Sequence, residues 1–279
     1  MNSYQHISRN LIAPLVAAFL VAMPGLMPDF SPAAAPVHQS STHKPPKTKA
    51  PSKTSAPDAA VPYHAGETLQ YQVAWAAFTS AASLQLTVPE RRDLFGWGTW
   101  HFRASAHTLS TVRTLFPIDD QFDSYTDTAT LESRQYEMYL NEMGKKQDRT
   151  FHLLPQGETP HGNVSRVIVL PGTRDPLGAL YSLRGVDWQK TPEFRAPVYD
   201  GHDVYEIRVR QDAPDEAVSV AAGRYSASRI SIRLFLHDKE ISGMKFSAWL
   251  AHDAARTPVL IQADLPFGNL RVELTSASQ

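Results

Sequence analysis

From Tyr63 to the end of the chain, apolar side chains recur at every second position. Successive side chains of a β-strand point to opposite faces, so this period predicts strands with one apolar and one polar face. The apolar members of the alternating segments are Leu69, Tyr71, Val73 and Trp75; Tyr205, Ile207 and Val209; Ile230, Ile232 and Leu234; Met244, Phe246, Ala248 and Leu250; and Leu270, Val272 and Leu274. These apolar faces must be buried against one another, which constrains the chain to a β-rich fold.

Turn-forming sequences separate the alternating segments. They lie at 95–98, 141–144, 200–201 and 267–269, and each contains glycine. Many strands joined by such turns, without long helices between them, are typical of antiparallel sheets. The sequence therefore predicts an all-β, mainly antiparallel domain that is a barrel, a half-barrel or a sandwich.

One short helix is predicted within this β-rich region. Asp175 is a good N-cap residue, and Pro176 suits the first helical position because its missing N–H is not needed there. The residues spaced for one helical face are Leu177, Leu180, Tyr181 and Arg184. We therefore expect a helix over 176–184 that packs against the sheet, closed by Gly185 in a left-handed conformation. A weaker pattern predicts a second helical turn over 109–115.

The N-terminus has the order of a secretory signal peptide. Arg9 precedes an apolar stretch from Leu11 to Met27, and small residues follow at 31–35. An uncleaved anchor is the alternative, because about 17 apolar residues can just span a bilayer. The Pro24-Gly25 break favours cleavage, so we expect a signal peptide over 1–35 and a periplasmic or secreted mature protein.

Residues 36–62 are rich in Pro, Lys, Ser and Thr and almost lack large apolar side chains. Such a segment cannot bury enough surface to offset its ordering entropy, so it is predicted to be a disordered linker. Its four lysines leave open a basic arm that touches anionic lipid, although a simple spacer is favoured. A single β-rich domain is expected over 63–276.

Charge and cysteine content exclude several classes of function. Before Tyr63 lie 5 basic and 2 acidic residues, which leaves the rest of the chain with a net charge of −4. That sign does not favour nucleic acid as a partner. The chain has no cysteine, so disulfides, thiolate metal sites, cysteine nucleophiles and a lipid-modified cysteine are excluded.

No motif in the chain indicates catalysis, metal binding or a cofactor. The sequence contains no G-x-S-x-G elbow, Walker loop, G-x-G-x-x-G or HExxH pattern. Three His-Asp dipeptides, at 202–203, 237–238 and 252–253, fall where strands meet turns and are interpreted as turn residues. Catalytic residues, metal ligands, cofactors and nucleotide partners are therefore all predicted to be absent.

An acidic run lies at 119–127, where Asp119, Asp120, Asp123 and Asp127 follow each other closely. It lacks the residue order of a calcium loop. Charged side chains protect exposed sheet edges from unwanted pairing, so the run is interpreted as a polar edge strand.

Three segments together resemble a known family. They are Gly66–Trp75 (GETLQYQVAW), Asp175–Arg184 (DPLGALYSLR) and Trp249–Val259 (WLAHDAARTPV). In this order and spacing they resemble the bacterial envelope family catalogued as domain of unknown function 3108 (DUF3108), over roughly residues 63–275. The resemblance implies a secreted or periplasmic β-rich domain and implies no established activity.

The residues of these segments have structural interpretations first. Asp175 caps a helix, Asp253 and Arg256 are placed to pair across a turn, and Thr257-Pro258 returns the chain to an extended conformation. A functional interpretation makes them a binding cluster, and the candidate binding residues are Asp175, Arg184, Trp249, Asp253 and Arg256.

Three functions remain open from the sequence. The favoured one is a non-catalytic envelope protein that binds or shields an apolar or amphipathic ligand, such as a lipid or envelope glycolipid. The second is a hydrolase of an envelope polymer with carboxylates from separate strands. The third is a scaffold for an envelope protein partner. The size and lining of the pockets would discriminate among them.

Overall fold

The computed structural model describes residues 58–155 and 166–278. The predicted signal peptide and residues 36–57 of the predicted linker lie outside the described residues. The last five linker residues are described and lie against the domain: the Thr128 hydroxyl donates to Asp58 at 2.6 Å and the Ala59 N–H donates to the Thr128 carbonyl at 2.8 Å. Within the two described ranges, no helix is both long enough and apolar enough to cross a membrane.

Strands dominate the described chain, and two short helices accompany them. The strands are β1 (Thr68–Trp75), β2 (Phe78–Leu94), β3 (Trp97–Thr108), β4 (Asp119–Asp127), β5 (Ser133–Glu142), β6 (Lys145–Pro155), β7 (Arg166–Val169), β8 (Phe194–Tyr199), β9 (Val204–Val220), β10 (Gly223–Leu236), β11 (Lys239–Glu240), β12 (Lys245–Ala251), β13 (Pro258–Leu265) and β14 (Gly268–Ser278). The helices are α1 (Ser110–Leu115) and α2 (Pro176–Gly185).

All the strands belong to one sheet, which curls into a nearly closed barrel. Their order is β7-β6-β5-β4-β3-β2-β1-β14-β13-β12-β10-β9-β8, with β11 added beside β10. Every pairing is antiparallel except that of β6 with β7. The first and last strands along the chain, β1 and β14, pair with each other. Sequence periodicity does not specify this non-local contact. The predicted all-β, mainly antiparallel class is confirmed, and among the three architectures left open the barrel is the observed one.

The alternating residues line the inside of this barrel, as predicted. Leu69, Val73, Val272 and Leu274 of β1 and β14 are fully buried. Val209 of β9 and Ile230 of β10, farther along the same sheet, are fully buried as well. Removing apolar side chains from water is the main favourable term in folding, so this shared interior is what holds the strands in register.

A short segment bridges β5 and the edge strand β8. The Thr173 carbonyl accepts from the Ser133 N–H at the start of β5, at 3.1 Å. Arg174 pairs with β8: its N–H donates to Pro197 and its carbonyl accepts from Tyr199. Thr173-Arg174 therefore connects β5 to β8 by backbone hydrogen bonds, and the chain then enters the barrel as α2.

The helix α2 crosses the barrel interior. All but its last residue are buried, and Tyr181 stacks on Phe102 of β3 with ring centroids 3.9 Å apart. Tyr63, just before β1, packs edge-on against both rings at 5.2 Å. Aromatic pairs in these geometries add to the stability that their burial supplies. The helix and this aromatic cluster therefore fill the part of the barrel that a half-open sheet would leave accessible.

The acidic run is not an edge strand, so that interpretation was wrong. It forms β4, which lies between β3 and β5 in the middle of the sheet. Asp123 is buried, and it accepts from His101 at 2.5 Å and from Arg103 at 2.7 Å. Neighbouring strands therefore supply the partners that make this acidic strand tolerable inside a sheet, and no local pattern identifies them.

Asp120 should make the protein more stable as the pH falls from 8 to 5. Its side chain is buried and accepts the Asn141 N–H at 2.8 Å. Burial raises the pKa of Asp120 from 3.8 to about 7, and the Glu142 carboxylate nearby adds to the effect. A group with a raised folded-state pKa binds its proton more tightly when folded, so the free energy of unfolding falls as pH rises from about 4 to about 7.

Asp120→Asn keeps the acceptor for Asn141 and removes the titration. We expect it to stabilise the protein at pH 8 by about 2 kcal/mol and to lose that advantage by pH 5. Urea unfolding at several pH values measures this. Asp119→Asn is the matched control, because Arg113 lowers the pKa of Asp119 to about 2 and its loss should slightly destabilise the protein at both pH values. A constant difference between wild type and Asp120→Asn across this range would contradict the prediction.

Candidate functional site

Asp175 caps α2 from a fully buried position. Its Oδ1 accepts the Gly178 N–H at 2.8 Å, as the predicted N-cap requires. Its Oδ2 accepts from two hydroxyls of neighbouring strands, Ser124 at 2.5 Å and Ser133 at 2.6 Å. Burial raises the pKa of Asp175, and these hydrogen bonds oppose that rise. The carboxylate therefore fastens the start of α2 to β4 and β5.

Gly178 allows the helix to approach these strands closely. A Cβ at this position would lie 2.8 Å from Ser133 Oγ, 3.1 Å from Thr126 Oγ1 and 3.3 Å from Ser124 Oγ. These distances are shorter than side chains normally tolerate, so any larger residue would push α2 away from the hydroxyls that hold Asp175. The D-P-L-G sequence is thus explained by packing and capping together.

Arg184 fastens the other end of α2. It is 1 % exposed, and its two terminal nitrogens each donate to one oxygen of Glu67 at 2.6 Å. Its Nη2 also donates to the Ala255 carbonyl at 2.8 Å, which lies in the turn between β12 and β13. Burial disfavours the charged form of Arg184, but the hydrogen bonds that it donates to Glu67 favour that form more strongly, and the pKa of Arg184 is raised. This bidentate pair joins the residue before β1, the helix and the β12–β13 turn.

The β12–β13 turn is held by its own motif residues. Asp253 Oδ1 accepts the Thr257 N–H at 2.9 Å, which is the turn role predicted for it. Arg256 does not pair with Asp253 within the described chain, contrary to the sequence interpretation. Its Nη1 donates instead to the carbonyls of Arg184 at 3.2 Å and Val186 at 2.5 Å.

Arg256 also explains how the helix ends. Gly185 is the last residue of α2 and is not left-handed, and the extended Val186 follows it. The predicted left-handed closure at Gly185 was therefore wrong. Because the Arg256 guanidinium supplies donors to the terminal carbonyls, the usual glycine motif is not needed to satisfy them.

The five candidate residues thus do not form one cluster. Arg184, Asp253 and Arg256 meet at the C-terminal end of α2, while Asp175 lies at its N-terminal end. Trp249 lies apart from both groups, and its indole N–H donates to Glu216 of β9 at 2.7 Å. Glu216 also receives Arg229 at 3.4 Å, so Trp249 belongs to a contact between β12 and the β9–β10 hairpin.

A groove lies where the β9–β10 hairpin extends past the end of β12. Its volume is about 380 Å³, and it is lined by Asp215, Ala217, Arg224, Tyr225 and Ser226; we call it the hairpin groove. The carboxylate of Asp215 and the guanidinium of Arg224 are exposed. Within the described ranges, Arg224 makes no ion pair. The groove therefore offers both an accessible acceptor and an accessible cation.

His252 connects the hairpin groove to the β12–β13 turn. Its Nδ1 lies 3.0 Å from Ser226 Oγ, and its Nε2 lies 3.1 Å from Ser228 Oγ and 3.0 Å from the Pro214 carbonyl. Its backbone N–H donates to the Ser226 carbonyl at 2.9 Å. The residues that follow it, from Asp253 to Thr257, are those held against α2. The β12–β13 turn is thus held against α2 on one side, and it places His252 at the groove on the other.

This Ser-His-Asp neighbourhood lacks the order of a hydrolytic triad. In such a triad the histidine lies between serine and acid and takes the serine proton. Here the Ser226 hydroxyl donates to Asp215, and the Ser228 hydroxyl donates to the Pro214 carbonyl. Each hydroxyl therefore has an acceptor other than the imidazole, and the acid contacts the serine rather than orienting the histidine, so the order of a triad is absent. In the described chain, no group of three or more His, Asp or Glu side chains could hold a metal ion.

Sequence reasoning missed the residues that matter most in these contacts. Glu67 lies within the first of the three family segments, but no sequence pattern identified it as a partner of Arg184, 117 positions away. Arg224 and Ser226 carry no motif. Only a signal of paired substitution between distant positions would have identified the Glu67–Arg184 contact.

Three solved structures are similar to this chain at low identity. A β-barrel-like protein of the domain of unknown function DUF1849, from Brucella abortus, is 12% identical with a TM-score of 0.47, covering 78% of this chain and 99% of that one. A protein described as exported, with a YmcC-like fold, from Bacteroides fragilis is 9% identical with a TM-score of 0.34, covering 80% and 100%. A protein described as a lipoprotein, from Parabacteroides distasonis, is 8% identical with a TM-score of 0.38, also covering 80% and 100%.

No curated protein matches the chain. The family model described as protein of unknown function DUF3108 matches residues 70–275. This range includes α2 with its capping Asp175, the β12–β13 turn and the hairpin groove, and it confirms the family resemblance of the three sequence segments. The chain therefore belongs to the DUF3108 family of proteins of unknown function.

Proposed function

We propose that this protein is an exported, non-catalytic binding protein of the cell envelope, and that the hairpin groove is its ligand site. The observation that carries the proposal is the position of His252. It extends from a turn that is fastened to α2 on one side, and it contacts Ser226 at the groove on the other. Rigid support of this kind is what a binding site requires.

The roles of the motif residues support a site at the groove rather than at the helix. Asp175, Arg184 and Arg256 use their polar atoms on other groups of the chain. Tyr63, Phe102 and Tyr181 fill the space beside α2. An acyl chain inside this part of the barrel would have to displace them, so the interior favours a structural role.

The chemistry of the groove favours the polar head of an amphipathic ligand. Arg224 can donate in pairs to one phosphate or carboxylate group, while Asp215 and Ser226 can exchange hydrogen bonds with ligand hydroxyls. A volume of about 380 Å³ suits a group of one or two sugar rings. A hydroxylated head group with one anionic substituent, such as that of an envelope glycolipid, matches this set. The acyl part would remain outside the groove.

The proposal predicts that reversing one charge in the groove removes the ligand. Protein purified from the envelope fraction should carry an amphiphile detectable by native mass spectrometry and by lipid extraction. Arg224→Glu should lower its occupancy at least tenfold, because a charge-assisted hydrogen bond contributes about 1.5–3 kcal/mol and the new carboxylate repels the anion.

Arg233→Glu is the matched control, because Arg233 is an exposed arginine of the same strand outside the groove. Its occupancy should equal that of the wild type. Equal occupancy in Arg224→Glu and Arg233→Glu would contradict the groove, and a protein free of any amphiphile would leave the scaffold function as the better explanation.

A further inference from the structure

The two most exposed large apolar side chains of the described chain are on and beside β7. Ile168 is 76% exposed and Leu170 is 58% exposed. Isolated exposed apolar residues need no explanation, but contiguous ones mark contact surfaces.

Neighbouring strands extend this surface. Ile168 lies beside the partly exposed Leu154 in the β6–β7 register, and His152 lies beside Arg166 two positions earlier, on the same face. Phe95, from the β2–β3 turn, is 45% exposed and its ring packs on His152 at 5.0 Å. Phe95, Leu154, Ile168 and Leu170 thus form one surface, which we call the β7 patch.

The β7 patch lies at the end of the barrel where the N-terminal segment joins the domain. Asp58 and Ala59 bind Thr128 in the β4–β5 turn. The same turn holds the chain that follows the patch: the Gly172 N–H donates to Glu132 at 2.8 Å and Arg174 donates to the Thr130 carbonyl at 3.3 Å. The N-terminal segment therefore joins the domain at the same turn that holds the chain just after the β7 patch.

The part of that N-terminal segment that remains after the expected cleavage of residues 1–35 is basic. It includes the lysines Lys44, Lys47, Lys49 and Lys53. Basic residues next to a membrane are attracted to anionic lipid by about 1 kcal/mol each. Arg166, exposed at the border of the β7 patch, has the same sign. Arg166 and the four lysines are thus complementary to an anionic bilayer.

We propose that the β7 patch rests on the surface of an anionic lipid bilayer. The lysines of the N-terminal segment attract the β4–β5 end of the barrel to the membrane, and Ile168, Leu170 and Phe95 enter the interface between head groups and acyl chains. Amphipathic surfaces bind membranes in this way by combining buried apolar area with attraction to anionic lipid. This orientation is independent of which ligand the hairpin groove takes.

The opposite end of the barrel supplies a matched control. Leu115 ends α1, and at 56% it is as exposed as Leu170. The Met143 N–H donates to Pro117 beside it, so α1 and the β5–β6 turn share this end. The two leucines have the same chemistry and exposure but should differ in their distance from the bilayer.

Because the chain has no cysteine, each position can be labelled uniquely. We would prepare the full-length chain as Leu170→Cys and as Leu115→Cys, attach an environment-sensitive fluorophore, and add vesicles of phosphatidylethanolamine and phosphatidylglycerol. The label at position 170 should shift to the blue, gain emission several-fold and be quenched by a nitroxide lipid. The label at position 115 should do none of these. Adding Ile168→Ser should reduce the response at position 170 several-fold, because the serine contributes no apolar area.

Two results would overturn the proposal. One is an equal response at positions 115 and 170, or a response at 115 alone. The other is a blue shift at position 170 that grows with protein concentration in the absence of vesicles, because it would mean that a second copy of the chain covers the patch.

Discussion

Arg184→Met should lower the free energy of unfolding by about 3–5 kcal/mol. Arg184 and Glu67 form a bidentate ion pair that is almost completely buried. Removing one partner of a buried pair leaves the other charge without compensation, which costs far more than the pair itself contributes. Arg184 also supplies the donors for the Ala255 carbonyl, so the β12–β13 turn would lose this contact with α2 and keep the one that Arg256 makes with the backbone at the end of the helix. Urea unfolding at pH 7, followed by circular dichroism, measures the loss.

Two variants separate this explanation from a general sensitivity to substitution. Glu67→Leu combined with Arg184→Met removes both charges, and it should be more stable than Arg184→Met alone. Arg233→Met removes an exposed arginine that pairs with Glu240 at 3.5 Å, and it should cost less than about 1 kcal/mol. If Arg184→Met cost no more than Arg233→Met, the buried pair would not be holding the helix.

Asp175→Ala should cost about 2–4 kcal/mol, which is more than an ordinary N-cap. A cap substitution at an exposed helix end costs about 1 kcal/mol. Here the same substitution also leaves the Ser124 and Ser133 hydroxyls buried without their acceptor. Each unsatisfied buried donor adds roughly 1–3 kcal/mol, reduced where the hydroxyl can rotate to another acceptor. Thermal and urea unfolding of the variant test the magnitude.

Asp175→Asn and Asp187→Ala are the informative controls. Asparagine keeps an acceptor for the Gly178 N–H and is a good cap, so it should retain a large part of the stability. Asp187 lies just after the same helix but is exposed, where it pairs with Lys190 at 2.8 Å, and its loss should be small. A loss of stability in Asp187→Ala equal to that in Asp175→Ala would show that the buried hydroxyl network contributes nothing.

Local sequence patterns predicted the elements of the fold well. The alternation at Leu69, Tyr71 and Val73 predicted a strand with these side chains inside, and all three are buried in β1. Asp175-Pro176 predicted the start of α2, which the structure confirms. These features depend on neighbouring residues and on the strand or helix period, so a single sequence carries them.

Features that depend on distant partners were missed or misread. The acidic strand β4 was placed at a sheet edge, yet His101 and Arg103 from β3 make it tolerable at the centre. Arg256 was expected to pair with Asp253, three positions earlier in the same turn. It donates instead to the backbone carbonyls at the end of α2. In each example the residue contacts a partner that is close to it only once the sheet has closed.

The amino-acid sequence by itself determined the β-rich class, the inward faces of the strands, the single capped helix and the family. Each of these follows from spacing along the chain. The tertiary structure alone decided that the sheet closes around α2, that Glu67 meets Arg184, and that Ser226 of the hairpin groove contacts His252. Those contacts join residues tens to more than a hundred positions apart, and their formation depends on the burial of the whole interior rather than on any local preference.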